Sequence, residues 1–403
     1  MRLIISGGGT GGHVYPALAV MHELKKQYPT VDVKWVGSDD GMEQSLVKQA
    51  NLPYYGISTA GLRGKNPIAF VMGLFKLWRG YWQSRHVIRR CQPNVLFVTG
   101  GYVCVPITLA AYHMGIPVLI YLPDIVPGQA VKFLSRFAVK IAVTAEPTQA
   151  FFPHGKSVVT GYPIRPELHE RVCEDKKDSR KPFMVKTRKV AKTRKMVKTR
   201  KVFKNLSCLT TLSSRLHDDL PVLLVFGGSR GARSINKAIT QQTVLQTLLA
   251  KTQIIHISGQ LDKEWTHAIR QKLPESLRNR YHLYAYLHEE MPYALACADV
   301  VISRAGASIL GEFTILGLPS ILVPYPYSGA HQFPNAHYLE KVGAAVIVTD
   351  DMLEETMVKT VLDLLNDKEK RLAMGQAAKG LAQPNASLKI VQLLEEVVYV
   401  RCN

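Results

Sequence analysis

The sequence LIISGGGTGGHV, residues 3–14, places a glycine-rich turn directly between a short apolar strand and a helix. The helix is indicated by apolar residues at helical spacing, at Val14, Leu18, Met21 and Leu24. A glycine turn in this position lets backbone N–H groups approach a phosphate closely, at the positive end of the helix dipole. One such turn is a weak signal by itself, because it matches many unrelated chains.

The same arrangement recurs in the second half of the chain, where GGSRGA (227–232) follows the apolar strand VLLVF (222–226). Apolar residues at Ile235, Ala238 and Ile239 predict the helix that comes next. Two such turns predict two nucleotide-binding-like domains with a cleft between them, an arrangement that brings a charged donor against a second substrate.

Strands and helices alternate in both halves of the sequence. The strands predicted in the first half are 3–5, 33–36, 95–98, 118–121, 140–143 and 157–159, with helices such as 14–26, 42–50 and 68–90 between them. Those predicted in the second half are 222–226, 253–257, 281–284, 299–302, 320–323 and 345–348. This alternation is typical of the α/β class, and it predicts two Rossmann-like, doubly wound parallel-sheet domains. The predicted segments are an N-terminal domain at 1–165, a linker at 166–218, a C-terminal domain at 219–383 and a last helix at 384–403.

Length and composition agree with a two-domain protein of the cytosol. A chain of 403 residues exceeds one typical hydrophobic core. The six cysteines are scattered without a Cys-x-x-Cys pair or a nearby His at metal-ligand spacing, and they predict free thiols in a reducing compartment. The sequence predicts neither a signal peptide nor a membrane span, since it contains no apolar run of about 18 residues.

The net charge of +20 is concentrated in residues 171–205, which hold 15 Lys or Arg residues and three Asp or Glu residues. The motif KTRK recurs there at 186–189, 192–195 and 198–201, a step of six that winds charge around every face of a helix. This pattern favours a solvated or disordered linker. Contact with anionic lipid is an alternative, whereas specific nucleic-acid binding is disfavoured because no aromatic residues interleave the repeats.

The first glycine turn also fits a dinucleotide-binding fingerprint, GxGxxG at residues 7–12, with Asp39 where a ribose-binding acid would lie. Three features disfavour that alternative. The turn ends in His13, a titratable group that would face the predicted cleft, and a second glycine turn opens the C-terminal domain. In addition, SRAGASILGE (303–312) predicts a turn into a helix that carries Glu312, whose carboxylate can accept hydrogen bonds from both ribose hydroxyls.

Seven separated motifs together point to one family. They are GGTGGH (8–13), GLRGK (61–65), GGYV (100–103), TGYPIR (160–165), GGSRGA (227–232), the Arg304–Glu312 segment and HQFPNA (331–336). Jointly they resemble glycosyltransferase family 28, the GT-B peptidoglycan N-acetylglucosaminyltransferases that make lipid II. The resemblance covers nearly the whole chain except the basic linker, and it implies a GT-B fold.

The resemblance implies that the first glycine turn lies at the reacting centre. The residues that it places at the donor sugar and diphosphate are Thr10, Gly11 and Gly12. His13 lies beside them as a candidate general base, with capping of its own helix as the alternative role. The resemblance also implies that Arg165 lies against the UDP diphosphate.

The resemblance places most donor-binding residues in the C-terminal domain. Those implied for the UDP diphosphate and ribose are Ser229, Ala307, Ser308, Ile309, Leu310, Gly311 and Glu312. Leu287 or its neighbour His288 flanks the uracil, and Gln332 and Asn335 meet the sugar hydroxyls. A helix N-terminus, backbone donors and an Arg can stabilise the departing UDP without metal, and no Asp-x-Asp motif is found, so neither metal nor cofactor is expected.

Two of these C-terminal residues keep a second interpretation. Glu312 can be a solvated helical acid instead of a ribose ligand. Arg304 can pair within the protein instead of contacting phosphate.

One segment departs from the family's pattern. Where the family has His-Glu-Gln-Asn after a strand, this chain has Tyr121, Leu122, Pro123 and Asp124. The family's Asn contacts the donor sugar. Asp124 can keep that hydrogen bond, or it can act in place of His13 as the base for the acceptor hydroxyl, and the acceptor's identity depends on this segment.

The stretch from Asn66 to Arg90 is the candidate membrane contact. One predicted helical face holds Val71, Leu74, Phe75, Trp78 and Trp82, and the cations around it are Lys65, Lys76, Arg79, Arg85, Arg89 and Arg90. Apolar aromatics ringed by cations are typical of a helix that lies in a bilayer interface. A buried packing helix is the alternative, because Phe70, Leu77 and Ile88 lie elsewhere on the helix. The resemblance favours the interface, since a polyprenyl-linked acceptor stays in the membrane.

The predicted activity is inverting transfer of GlcNAc from UDP-GlcNAc to the 4-hydroxyl of undecaprenyl-diphospho-MurNAc-pentapeptide, lipid I, in peptidoglycan synthesis. The predicted partners are UDP-GlcNAc, lipid I and the anionic inner-membrane surface, with no nucleic acid, and the predicted location is the cytoplasmic face of the cell membrane. One alternative is a GT-B transferase that uses the same donor on another lipid or glycan acceptor. The other is a UDP-sugar-binding protein without catalysis.

Overall fold

The computed structural model describes residues 1–9, 11–41, 43–61, 66–168, 216, 220–228, 231–288, 290–327 and 331–399. The strands are β1 (Arg2–Gly7), β2 (Asp32–Ser38), β3 (Tyr54–Ile57), β4 (Val95–Gly100), β5 (Val118–Leu122), β6 (Lys140–Val143), β7 (Ser157–Val159), β8 (Val222–Phe226), β9 (Gln253–Ile257), β10 (Tyr281–Tyr284), β11 (Val300–Ser303), β12 (Ser320–Leu322) and β13 (Ala345–Ile347). The helices are α1 (Gly11–Gln27), α2 (Glu43–Gln49), α3 (Pro67–Cys91), α4 (Cys104–His113), α5 (Gln129–Leu134), α6 (Arg233–Thr240), α7 (Gln242–Lys251), α8 (Lys263–Gln271), α9 (Glu275–Arg278), α10 (Met291–Cys297), α11 (Ile309–Leu316), α12 (Gln332–Glu340), α13 (Leu353–Asn366), α14 (Lys368–Gly380) and α15 (Ala386–Tyr399). The basic repeats within 171–205 lie outside the described residues.

The chain divides into two compact units, residues 1–166 together with 383–403, and residues 167–382. The first unit contains a seven-stranded sheet in the order β3-β2-β1-β4-β5-β6-β7, and the second a six-stranded sheet in the order β10-β9-β8-β11-β12-β13. Every strand pair recorded in these sheets is parallel. The predicted α/β fold with two doubly wound parallel sheets is therefore confirmed.

In each sheet the order in which strands are added reverses at one strand, which is β1 in the first sheet and β8 in the second. The first sheet grows from β1 through β2 to β3 on one side and then from β4 onwards on the other. The second sheet does the same around β8, with β9 on one side and β11 on the other. Ligands of open α/β sheets bind outside the carboxyl ends of the strands at such a switch point. At the first switch point lie the glycine turn after β1 and the turn after β4. At the second lie the glycine turn after β8 and the turn after β11.

The strands at the switch points are buried on both faces. Leu3, Ile4 and Ile5 of β1 are at most 1% exposed, and all of β4 is buried. Near-continuous apolar runs of this kind are typical of parallel strands that helices cover on both sides. The turns that carry the motifs therefore follow strands that lie in the buried core of each unit.

The last helix returns to the first unit. α15 packs against α1, and the Tyr28 hydroxyl just after α1 is hydrogen-bonded to Glu395, which raises the pKa of that phenol. The fully buried residues of α15 include Ile390, Val391 and Leu394. The C-terminal helix thus completes the sheet-and-helix layers of the N-terminal unit, although the whole second unit precedes it in sequence.

Candidate functional site

The first glycine turn lies directly against the connection between β4 and α4. The Gly8 N–H donates to the Gly100 carbonyl at 3.2 Å. Gly100 and Gly101 have φ angles of 117° and 94°, and a Cβ on Gly101 would lie 2.6 Å from the Gly8 carbonyl oxygen. Only glycine permits this approach and this backbone. Thr10 lies outside the described residues, whereas Gly11 and Gly12 open α1.

His13, the third residue of α1, is held by a backbone group at the end of β4. Its Nδ1 lies 2.7 Å from the Thr99 carbonyl oxygen. Because a carbonyl oxygen only accepts, Nδ1 carries the proton, and Nε2 of the neutral ring keeps the lone pair. The ring packs on Gly100, where a Cβ would lie 2.7 Å from the His13 Cε1. This is the tautomer that a general base at Nε2 requires, and the side chain contacts the end of β4.

Sequence analysis missed Glu43, the first residue of α2, which is 2% exposed. Its carboxylate accepts hydrogen bonds from the N–H and the hydroxyl of Ser38, both at 2.9 Å, and from the Gly9 N–H at 3.3 Å. An acid in the first turn of a helix is common because it faces the positive end of the dipole. The sequence therefore gives no sign that this acid also reaches the glycine turn.

The segment that departs from the family's pattern is held by two buried hydroxyls. The Tyr121 hydroxyl lies 2.9 Å from the Thr144 Oγ1, which in turn donates to the Pro123 carbonyl at 2.9 Å. Burial raises the pKa of Tyr121 well above its ordinary value, so this phenol stays protonated. Tyr121 therefore fixes the end of β5 and is not itself a base, and the partly buried Asp124 follows at that end.

Arg165 is brought to the start of α1. Its guanidinium carbon lies 4.2 Å from the centroid of the Tyr15 ring, two residues after His13. A cation over an aromatic ring is attracted by the ring's negative face. The TGYPIR motif therefore places positive charge beside the helix that the first glycine turn opens.

In the second unit, Arg304 joins four segments at the carboxyl edge of the sheet. Its Nη1 donates to the Asp350 Oδ1 at 2.9 Å and to the Val323 carbonyl at 3.1 Å, and its Nη2 donates to the Ser234 Oγ at 2.7 Å. The side chain is only 9% exposed. Of the two roles left open for Arg304, the structure shows the internal pairing. Because Ser234 stands in the first turn of α6, the pairing also fixes the second glycine turn to β11.

The second glycine turn needs left-handed backbone at two glycines. Gly228 and Gly231 have φ angles of 88° and 75°, and a Cβ on Gly231 would lie 2.6 Å from the Ser258 carbonyl oxygen. The turn therefore lies close to the end of β9. Ser229 lies outside the described residues.

Helix α11 is buried along its whole length, and its first residues are those implied for the diphosphate and ribose. Ile309, Leu310 and Gly311 are buried, Ser308 before them is partly exposed, and the Glu312 N–H closes the first turn on the Ser308 carbonyl at 2.8 Å. Glu312 is 4% exposed, so it is not a solvated helical acid.

Two amide side chains of α12 hold the turn before α11. The Gln332 Oε1 accepts from the Ala305 N–H at 3.1 Å and from the Tyr325 N–H at 2.9 Å. The Asn335 Nδ2 donates to the Ala305 carbonyl at 3.1 Å, and Asn335 is fully buried whereas Gln332 is partly exposed. Both residues therefore fix the position of the turn that contains Ala307.

The residues implied for the uracil differ in exposure. Leu287 is buried, and His288 after it is exposed with its ring 4.5 Å from that of Tyr286. The two neighbours thus offer an apolar surface and an exposed aromatic ring at the same point of the chain.

A buried polar chain runs behind the second glycine turn. His256 of β9 has its Nδ1 2.6 Å from the Tyr281 hydroxyl and its Nε2 2.9 Å from the Asn236 Oδ1. The Asn236 Nδ2 donates to the Asp262 Oδ2 at 2.8 Å, and Asp262 pairs with Arg233, the first residue of α6, at 2.7 Å. Burial lowers the pKa of His256 to about 3. The imidazole is therefore neutral and joins the core of the unit to α6.

This shift predicts that the second unit loses stability in weak acid. The unfolded histidine takes up a proton near pH 6.5, whereas folded His256 does so only near pH 3. The contribution is complete above pH 6.5 and falls as the pH drops towards 3, by up to about 1.4 kcal/mol per pH unit. Urea unfolding at pH 7, 6 and 5 should show this additional slope in the wild type and not in His256→Gln. Parallel pH dependence in the two proteins would contradict the assignment.

Helix α3 buries small residues and thereby lies close to the body of the first unit. Asn66 caps its start by accepting from the Ala69 N–H at 2.8 Å. Its buried face includes Gly73, Gly80 and Ser84, and a Cβ on Gly80 would lie 2.0 Å from the Ser58 carbonyl oxygen. Val87 and Ile88 join this buried face near the end of the helix.

The apolar face predicted on α3 is exposed. Its residues and their exposed fractions are Val71 at 64%, Leu74 at 46%, Phe75 at 63%, Trp78 at 59% and Trp82 at 51%. Of the residues that favoured a packing helix, Ile88 is buried but Phe70 is exposed as well. An exposed apolar surface of this extent marks an interaction site. Among the described residues, no helix combines the length and the apolarity needed to span a bilayer.

Comparison with known proteins identifies the two units. The N-terminal domain model of glycosyltransferase family 28 matches residues 3–143, and the C-terminal domain model of the same family matches residues 222–390. A UDP-N-acetylglucosamine--N-acetylmuramyl-(pentapeptide) pyrophosphoryl-undecaprenol N-acetylglucosamine transferase of Roseiflexus sp. is 38% identical over 100% of this chain and 96% of its own length. The protein of the same name from Desulforamulus reducens is 35% identical over 99% of each chain. The crystal structure of Acinetobacter baumannii MurG superposes with a TM-score of 0.69 at 26% identity, over 98% of this chain and 99% of the other.

Proposed function

This chain belongs to glycosyltransferase family 28, and we propose that it is the N-acetylglucosaminyltransferase that converts lipid I to lipid II. It transfers GlcNAc from UDP-GlcNAc to the 4-hydroxyl of undecaprenyl-diphospho-MurNAc-pentapeptide. The observation that carries the proposal is the 38% identity, over the full length, to a relative named for this reaction. The two switch points agree with it, since one carries a candidate base and the other a buried helix start with a carboxylate.

The transfer is an in-line displacement with inversion. The acceptor 4-oxygen forms a bond to the anomeric carbon of GlcNAc while the bond from that carbon to the UDP oxygen breaks. His13 Nε2 takes the hydroxyl proton, with Asp124 as the second candidate. The charge that develops on UDP is stabilised by backbone N–H groups at the second glycine turn and at the start of α11.

The donor residues keep the roles that the family resemblance implies. We assign Thr10, Gly11 and Gly12 to the donor sugar and its diphosphate, and Arg165 and Ser229 to the diphosphate. Ala307 to Glu312 bind the diphosphate and ribose, and Leu287 lies at the uracil. Gln332 and Asn335 act on the sugar, and the bonds of both to Ala305 support a role in which they also fix the turn before α11.

Incubation of the purified protein with radiolabelled UDP-GlcNAc and lipid I tests the proposal. Formation of labelled lipid II, with release of one UDP per GlcNAc transferred, is expected. Donor binding without transfer to lipid I, but with transfer to another lipid or glycan, would indicate a different acceptor. Donor binding with no transfer to any acceptor would indicate a binding protein.

We further propose that the exposed apolar face of α3 holds the enzyme at the cytoplasmic face of the cell membrane. Phe75, Trp78 and Trp82 form a continuous series of rings, with centroid distances of 5.8 and 6.4 Å. Lys76 and Arg79 lie exposed beside them. Aromatic residues next to cations suit an interface that contains anionic lipid, and the acceptor's polyprenyl chain requires such a location.

Replacing Phe75 and Trp78 by serine is expected to reduce binding to anionic vesicles at least about tenfold. Together the two substitutions remove roughly 100 Å² of apolar contact, which at about 25 cal/mol per Å² amounts to about 2.5 kcal/mol, more than a factor of ten. Co-sedimentation with phosphatidylglycerol-containing vesicles measures the loss, and turnover of a soluble acceptor analogue should be unchanged. Leu261→Ser is the matched control, because Leu261 is 80% exposed in the second unit. Equal losses in the control and the double variant would contradict the assignment of α3.

A further inference from the structure

We propose that Glu43 is a positioning residue for the transfer reaction: its buried carboxylate holds the first glycine turn, and through it His13. The inference rests on the proposed function. It concerns a residue that touches neither reacting atom and acts only through the Gly9 N–H and the fold of the turn.

The contacts of Glu43 join two separate segments. Both Ser38 groups that it accepts from lie at the end of β2, and Gly9 lies in the turn after β1. A Cβ on Gly8 would lie 2.5 Å from the Glu43 Oε1, and a Cβ on Gly41 would lie 2.1 Å from the same atom. The carboxylate is therefore enclosed by backbone on both sides. Hydrogen bonds from N–H groups to a carboxylate are stronger than those to a neutral acceptor.

The first glycine turn is held on two sides, because β4 and β2 flank β1 in the sheet. On the side of β4, the Gly8 N–H and the His13 Nδ1–H donate to the carbonyls of Gly100 and Thr99. On the side of β2, the Gly9 N–H donates to the Glu43 Oε2. Glycines have little conformational preference of their own, so a glycine turn keeps one shape only where its surroundings impose it. Without Glu43 the turn loses this hydrogen bond on the β2 side, and we expect the His13 ring to be held less firmly over Gly100.

The contact at Gly9 also bears on what the first glycine turn can bind. In a phosphate-binding turn the backbone N–H groups point at the phosphate. Here the Gly9 N–H instead donates a hydrogen bond to the carboxylate of Glu43. Because the Gly9 N–H is already paired within the protein, this part of the turn is suited to positioning His13 rather than to binding a phosphate.

The test uses Glu43→Ala and Glu43→Gln in the full chain, with Glu23→Gln as the control because Glu23 is an acid of α1 bonded only within its own helix, to Gln27. We expect kcat for lipid I to fall about 10- to 100-fold in Glu43→Ala, the loss that follows a displacement of a catalytic group by about 1 Å. Glu43→Gln keeps one acceptor oxygen and should recover much of that loss. The affinity for UDP, measured by calorimetry, should change less than about twofold in both variants, because the loss is one of positioning and not of binding.

A second measurement separates this inference from the proposed function. Nitrogen-15 NMR of labelled histidine, with the His13 signals assigned by their absence in His13→Gln, reports the ring tautomer without substrate. We expect one tautomer protonated at Nδ1 in the wild type and a mixture in Glu43→Ala. If the wild type transfers no GlcNAc, the proposed function fails while the tautomer still tests Glu43. Should Glu43→Ala not fold, Glu43→Gln carries both measurements.

The inference is overturned by any of three results. The first is a kcat of Glu43→Ala within twofold of the wild type with unchanged His13 signals. The second is a loss of UDP affinity that parallels the loss of kcat. The third is an equal loss of kcat in Glu23→Gln.

Discussion

Replacing His13 by alanine is expected to lower kcat for GlcNAc transfer by about 10²–10⁴-fold, the usual contribution of a positioned general base. The affinity for UDP-GlcNAc should stay nearly unchanged, because the base acts on the acceptor hydroxyl and contributes to the transition state alone. Initial rates with saturating labelled donor and lipid I measure the first quantity, and calorimetry with UDP-GlcNAc measures the second.

The structure supports this expectation through the orientation of the ring. The bond from Nδ1 to the Thr99 carbonyl, at 2.7 Å, leaves the lone pair on Nε2. The ring also packs on Gly100, where a Cβ would lie 2.7 Å from the His13 Cε1. A base that is already in the required tautomer does not need to reorganise before it accepts a proton.

Asp124 gives the prediction its sharpest control. If Asp124 is the base, the large loss of kcat occurs in Asp124→Asn, which also restores the residue usual in the family, and His13→Ala remains active. Near-normal turnover of both variants would exclude both residues as the base. The acceptor's own surroundings or a bound water would then have to take the proton.

The order of strands and helices could be predicted almost completely from the sequence, because parallel strands buried on both faces form continuous apolar runs. β3 is the exception among the described strands. Its four residues, YYGI, lie at the edge of the first sheet, contain a glycine, and only Ile57 is buried. A short, half-exposed edge strand has no apolar run to distinguish it from a loop.

The site could be predicted where its residues belong to a motif that is contiguous in sequence. His13 and Glu312 were found in this way, and the structure shows both in defined positions next to the switch points. Glu43 and the partners of Arg304 could not be found, because Gly9 lies 34 positions from Glu43 and Asp350 lies 46 positions from Arg304. Such contacts depend on the order of the strands, which places distant turns at the same edge of the sheet.

Glu312→Ala is expected to weaken UDP-GlcNAc binding by about 2–4 kcal/mol, roughly 30- to 1,000-fold in Kd, while kcat at saturating donor changes little. The carboxylate is 4% exposed in the first turn of α11, so its proposed hydrogen bonds to the two ribose hydroxyls are shielded from water. These hydroxyls do not change during the reaction, so the bonds contribute equally to the ground state and the transition state, and their loss raises KM rather than lowering kcat.

Calorimetry with UDP and with UDP-GlcNAc measures the loss of affinity. Glu355→Ala is the matched control, because Glu355 is an exposed acid in the first turn of α13. Unchanged donor affinity in Glu312→Ala would remove Glu312 from the ribose site, and a loss of kcat with unchanged affinity would assign it to the reacting centre instead.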